Sequence, residues 1–172
     1  MRCFVALEIK DKIKNKLWEI GKHFKDGSTK LVEKSHYHVT LKFLGDIPKK
    51  QVNQIITNLS DIEVAPVSSN VKGLGVFPDM SYIKVIWAGL TGNFNPLVGK
   101  IDSITTQKRK KPFHPHVTLA RVKRKPPKKT KKLIREYEDF EFGKQTLDTV
   151  VLKKSELTPE GPVYTTLKSV KL

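Results

Sequence analysis

The 172-residue chain predicts an α+β fold built twice over, and three observations carry that expectation. Short β-rich segments alternate with amphipathic helical ones. The order strand, helix, strand, helix, strand occurs once in each half, about 1–80 and 81–172. The tetrapeptide His-Val-Thr-Leu stands at the same place in both halves, at 38–41 and 116–119. A chain of this length forms one domain, compact or of two small lobes sharing a core.

Phe4 to Ile9 is short, apolar and β-rich, the mark of a strand. Ile13, Leu17, Ile20 and Phe24 recur at helical spacing, with Asp11 placed to cap the start. A turn at Gly27-Ser28 leads into a strand from His36 to Leu44, closed by Gly45-Asp46. Pro48 opens a second helix with Val52, Ile55, Ile56 and Leu59 on one side, and a strand region from Val64 to Val76 completes the half. The second half opens with a strand at Tyr82 to Leu90. A helix near Pro96 carries Leu97, Val98, Ile101 and Ile104, and a strand follows from His116 to Val122. Leu133, Ile134, Tyr137 and Phe140 give another helical stripe. Final strands near Thr146 to Lys153 and Val163 to Val170 flank a turn at 159–162.

In each half the tetrapeptide begins about 35 residues after the opening strand, so the copies should hold equivalent positions. Halves paired about a pseudo-twofold axis would bring equivalent side chains face to face. Side chains alternate along a strand, which places His38 with Thr40 on one face and Val39 with Leu41 on the other. His116 and Thr118 repeat the arrangement. The apolar pairs can pack inward while two imidazoles and two hydroxyls converge. A tetrahedral phosphate asks for such a set: hydroxyl donors for its oxygens and a proton-transfer group on each side. Histidine suits both proton transfers, because its ordinary pKa is near ~6.5.

Charge narrows the partner. Lys and Arg outnumber Asp and Glu 33 to 17, a net charge of +16, which draws polyanions. Nucleic acid is the first candidate, an anionic membrane the second, and a lysine-rich surface suited to high temperature the third. The single cysteine, Cys3, cannot form an intramolecular disulfide and suits a reducing cytoplasm. No apolar run reaches membrane-spanning length, and the N-terminus is charged too soon for a signal peptide. The sequence therefore reads as cytoplasmic, with no membrane or obligate protein partner, and as a monomer.

Four segments carry a resemblance: Arg2-Cys-Phe-Val-Ala-Leu7, His38-Val-Thr-Leu-Lys-Phe-Leu-Gly45, Pro112-Phe-His-Pro-His-Val-Thr-Leu-Ala-Arg121 and Ser155-Glu-Leu-Thr-Pro-Glu-Gly-Pro-Val-Tyr164. In this order they resemble the two-histidine phosphoesterases, most closely the LigT-like RNA 2′,3′-cyclic phosphodiesterases, also called 2′-5′ RNA ligases. The resemblance implies a bilobal fold: two antiparallel-rich sheets related by a pseudo-twofold axis, helices outside, and the paired motifs in a central cleft. It implies hydrolysis of an RNA terminal 2′,3′-cyclic phosphate to a 2′-phosphate, without metal or cofactor, and reverse 2′-5′ joining in vitro. It assigns His38 as proton donor to the leaving 3′ oxygen and His116 as base on water, roles the spacing alone leaves open. Thr40 and Thr118 would hold the non-bridging oxygens. Fragments of tRNA are candidate substrates. The alternatives are a related enzyme acting on small cyclic nucleotides or RNA 3′ ends, and a basic RNA-binding module without turnover.

Further residues have two readings each. His36 and His114, two positions before the motif histidines, could complete a four-histidine metal site, but no carboxylate lies nearby in sequence. They read better as structural neighbours, and His23 as a surface position. Arg121 could meet the phosphate, although strict alternation puts it on the face opposite His116. Tyr164 could line the cleft or pack in the core. Phe4, Phe43 and Trp87 could stack a base, with core packing favoured for Trp87. Two basic runs, Lys108-Arg109-Lys110-Lys111 and Arg121 to Lys132 with Lys123-Arg124-Lys125 within it, flank the second motif and could form a track for RNA.

Overall fold

A computed structural model describes residues 1–172. Its elements run β1 (Arg2–Glu8), α1 (Asp11–Gly21), β2 (Thr29–Leu31), β3 (His38–Asp46), α2 (Lys49–Ser60), β4 (Val67–Asp79), β5 (Tyr82–Gly92), α3 (Asn95–Ile104), β6 (His116–Val122), α4 (Lys128–Glu136), β7 (Glu141–Leu147), β8 (Thr149–Thr158) and β9 (Gly161–Lys171). The expected strands and helices are all present, with local differences. Asp11 is the first helical residue rather than a side-chain cap, since Lys10 occupies the cap position without a side-chain bond. Its carboxylate still stands at the positive end of the helix. The fourth helix stops at Glu136, so Phe140 leaves the helical stripe. The span expected as one strand from Thr146 divides at Asp148 into β7 and β8.

The strands form one nine-stranded antiparallel sheet rather than two separate ones; its two arms, β9-β8-β1-β3 and β7-β4-β5-β6, meet where β3 pairs β6, with β2 added beside β6. The junction is a single pair, Val39 with Val117. Around it the pairing is pseudo-symmetric. The first strand of each half, β1 or β5, lies against its own motif strand. The next neighbour is borrowed: β8 of the second half pairs β1, and β4 of the first half pairs β5. Helices cross over likewise, α1 packing toward β6 and β7 while α3 packs on β3. One hydrophobic core of 35 buried residues runs through both arms of the sheet. Val39 and Val117 are fully buried at its centre, each contributing roughly 1.5–3 kcal/mol by leaving water. No helix is long and apolar enough to cross a membrane.

Candidate active site

The Val39–Val117 pair fixes the geometry of everything above it. Around an antiparallel pair, the next residues face each other crosswise: His38 opposite Thr118, and Thr40 opposite His116. All four lie on the face away from the buried valines and line one cleft of about 580 Å³. Diagonal neighbours on such a ladder have Cα atoms roughly 7–8 Å apart, so both imidazoles can reach one phosphorus atom.

Each motif strand then carries a one-residue bulge just past its threonine, and β3 has a second at Leu44. On β3, Lys42 pairs Val5 and Thr40 pairs Ala6, leaving Leu41 without a partner. On β6, Ala120 pairs Ile86 and Thr118 pairs Trp87, leaving Leu119 without one. The extra residue reverses the alternation beyond it. Leu41 and Lys42 are both buried, as are Leu119 and Ala120. Consequently Phe43 and Arg121, five positions past their histidines, return to the cleft face. Strict alternation had placed Arg121 on the other side; the bulge corrects that expectation.

Each imidazole is fixed by the chain just before it. His38 donates Nδ1–H to the carbonyl of His36 at 2.6 Å, and His116 donates to that of His114 at 2.7 Å. This holds the Nε2 atoms toward the cleft. The Nε2 of His38 also lies 3.0 Å from the Thr40 hydroxyl. Burial, opposed by the bond to His36, pushes His38 down to about 4. His116 is likewise held below its ordinary value by burial, with the bond to His114 opposing.

The walls differ. Phe4 stacks on His38 with ring centroids 5.0 Å apart, and Tyr164 meets it edge-on at 5.7 Å. Beside them Glu8, paired with His38 across the sheet, takes an ion pair from Lys153 at 2.8 Å. On the other side Phe77 stands edge-on to His116 at 5.1 Å, and Trp87 packs on His114 at 4.8 Å. Trp87 supports this wall from behind rather than lining the cleft, and its indole crosses the bare backbone of Gly75, where any side chain would collide. Phe4, Phe43 and Tyr164 all line the cleft. His36 and His114 contribute carbonyls and ring contacts, His23 is exposed, and no three His, Cys, Asp or Glu side chains converge as a metal-ligand set.

Several lining residues were not singled out from the sequence: Phe77, the β2 residues Lys30 and Leu31 with Val32 and Glu33, and residues 158 and 160–163 at the tip of the β8–β9 hairpin, which fall inside the 155–164 segment that carries the resemblance. Lys30 Nζ donates to the Glu160 carbonyl at 2.6 Å, tying the two rims together. Apart from that resemblance, the proline- and glycine-containing turn at 159–162 was the one pointer to the tip. The basic runs do not line the cleft. Lys108, Lys110, Lys111, Lys123 and Lys125 are exposed. Arg109, expected with them, is turned inward onto Asp102 and the Leu41 carbonyl. Arg124 is exposed and caps the Gly27 carbonyl.

Known proteins share this fold. The family model described as LigT like Phosphoesterase matches residues 7–87 and 89–164. The protein of Methanocaldococcus jannaschii named RNA 2′,3′-cyclic phosphodiesterase is 36% identical over 174 residues, covering 98% of this chain and 99% of that one. A protein of the same name from Archaeoglobus fulgidus is 34% identical over 175 residues, covering 98% of each. Among solved structures, TT0787 of Thermus thermophilus superposes with a TM-score of 0.83 at 28% identity, covering 100% of this chain and 98% of that one. E. coli LigT complexed with NADP+ shares the fold at a TM-score of 0.77 and 20% identity, covering 99% and 97%.

Proposed function

The chain belongs to the LigT-like phosphoesterase family, and from that premise we propose that it hydrolyses the terminal 2′,3′-cyclic phosphate of RNA to a 2′-phosphate. The observation that carries the reading is the crosswise set of two histidines and two threonines around Val39–Val117, open to one cleft. Relatives over nearly the whole length bear the name of this activity. The charge of +16 favours an RNA chain over a free nucleotide.

In the proposed reaction the phosphate sits between the motif strands. His116 Nε2 takes a proton from water as the water oxygen bonds to phosphorus. The bond from phosphorus to O3′ breaks, and His38 gives its Nε2 proton to that oxygen. The product is a 2′-phosphate with a free 3′-hydroxyl, and the two imidazoles have exchanged protonation states. Thr40, Thr118 and the Arg121 guanidinium donate to the non-bridging oxygens as charge gathers there. Phe43, and beside it Phe4 and Tyr164, offer apolar surface to the nucleoside. The strained ring supplies the driving force, so no nucleoside triphosphate enters. With the 5′-hydroxyl of another RNA in place of water, the same opening joins ends through a 2′-5′ bond. The enzyme would act in the cytoplasm as a monomer, tRNA fragments being among its candidate substrates.

The test is incubation of an oligoribonucleotide ending in a 2′,3′-cyclic phosphate, in the presence of a chelator. A product carrying a 2′-phosphate is expected. A 3′-phosphate product would refute the assigned leaving group, and no hydrolysis at all would refute the activity.

A further inference from the structure

The two motif strands share a bulge, yet their bulge carbonyls are held by different means. The Leu119 carbonyl accepts a bond from the backbone N–H of Val32 at 2.9 Å. This continues the β2–β6 pairing, in which Leu31 faces Ala120 and Lys30 faces Arg121. A strand of the first half thus runs as a rail along the second motif strand. No strand occupies the equivalent edge of β3. There Arg109, in the irregular stretch after α3, donates from Nη1 to the Leu41 carbonyl at 2.8 Å. A segment of the second half again supports the strand of the first, through one side chain rather than a backbone.

The guanidinium is itself held. Its Nε and Nη2 donate to both oxygens of Asp102 on α3, each at 2.9 Å, a forked pairing that fixes its plane. Asp102 also receives Lys42 Nζ at 2.8 Å, and the same ammonium donates to the Thr105 hydroxyl at 2.8 Å. Burial raises the Asp102 carboxyl, but the bonds from Arg109 and Lys42 outweigh it and hold the group ionised. Lys42 is only 4% exposed, and it is the second bulge residue, lying between Thr40 and Phe43. At the equivalent position the other strand has Ala120, so the fold does not need a charge there. Ion networks that bury a charge, as this one buries Lys42, are poor sources of stability compared with apolar packing. What this network does is locate one carbonyl and one side chain at the turning point of the catalytic strand.

We infer that Arg109, gripped by Asp102, whose carboxylate Lys42 holds in turn, is a positioning residue: its guanidinium replaces the edge strand that β3 lacks and fixes the bulge that aims His38, Thr40 and Phe43 into the cleft. The inference rests on the phosphodiesterase reading for its kinetic readout, but not for its spectroscopic one. Displacements of about 1 Å at such a site can cost on the order of 10²-fold in rate.

The experiment uses the full-length Arg109→Ala and Arg109→Lys variants. On the cyclic-phosphate RNA, Arg109→Ala is expected to lower kcat by about 10- to 10²-fold with KM changed less than about threefold, and added guanidinium should restore part of that loss. Arg109→Lys should stay low, because an ammonium cannot bond the carbonyl and both carboxylate oxygens in one plane. It also preserves the charge should the alanine variant fail to fold. In NMR spectra of either variant, the imidazole signals of His38 should move while those of His116 stay in place. A rise in KM with kcat intact and a shallower salt dependence would make Arg109 an RNA contact and overturn the inference. So would histidine signals that move together or not at all. Should the unaltered protein lack hydrolytic activity, the proposed function falls, and the spectra still decide whether Arg109 positions His38.

Discussion

The half around His38 and the half around His116 use one backbone plan for two surroundings. Both strands bury a valine at the junction, present histidine and threonine to the cleft, bulge at a leucine, and return a fifth residue to the same face. Position by position the chemistry differs. Phe43 on one strand corresponds to Arg121 on the other, and Lys42 to Ala120. Their cross-sheet neighbours Ala6, Phe4 and Glu8 correspond to Trp87, Val85 and Gly89. The His38 side therefore offers an exposed aromatic plane beside an ion pair, while the His116 side offers a guanidinium in front of an aromatic wall. A symmetric phosphate could sit between equal arms, but a nucleotide end is asymmetric. The duplicated frame supplies convergence, and the substitutions upon it supply direction.

Removing either imidazole tests the shared part and has the largest expected effect. His38→Ala and His116→Ala should each lower kcat by at least about 10²-fold with the protein still folded. The double variant should lose little more than the worse single one, because in the proposed reaction the two act as one proton-transfer unit. Near-full turnover in either single variant would end the equivalence of the halves. The differing part should respond unequally. Arg121→Ala is expected to cost about 10²-fold in kcat, as the loss of a donor to developing charge does. Phe43→Ala should instead raise KM for an oligoribonucleotide by about tenfold, as the loss of one stacked base does, and leave kcat within about twofold. Steady-state kinetics on the two variants would break the comparison if both changed the same parameter.

The mildest test is pH. Both imidazoles are held below their ordinary value in the free protein, His38 at about 4. The charged form of each is therefore scarce at neutrality, and the bell for kcat/KM should peak on the acid side of about 6.5. A bound anionic phosphate favours imidazolium and raises both groups. The kcat profile should then lie to the alkaline side of the kcat/KM profile by about a unit. Coincident profiles, or a kcat/KM maximum above neutrality, would mean that the phosphate does not meet these rings.

Much of this was legible in the residues. The strand and helix order follows from apolar spacing, and the twin tetrapeptides placed four cleft side chains without any coordinates. What escaped was set by partners distant in sequence. Nothing in Leu-Lys or Leu-Ala announces a bulge; it arises because β1 and β5 each skip one residue of the motif strand there, Leu41 and Leu119. That single step decides whether Arg121 and Phe43 face the cleft or the core. Thr29–Leu31 is too short to show alternation, and Phe77 looks like any strand aromatic. Arg109 sits in a run of four basic residues, and only the nearness of Asp102 and of a free carbonyl separates it from its exposed neighbours.

The borrowed strands bear on how such a molecule could arise. Alone, a chain of half this length would leave β4 without the neighbours it has here, because both of its partners belong to the other half. Two copies could satisfy each other by domain swapping, each lending its last strand to its twin, with the reactive groups meeting on the dyad. Gene fusion would then turn that homodimer into one polypeptide and release the twins from identity. From that point an arginine could be selected on one arm and a phenylalanine on the other.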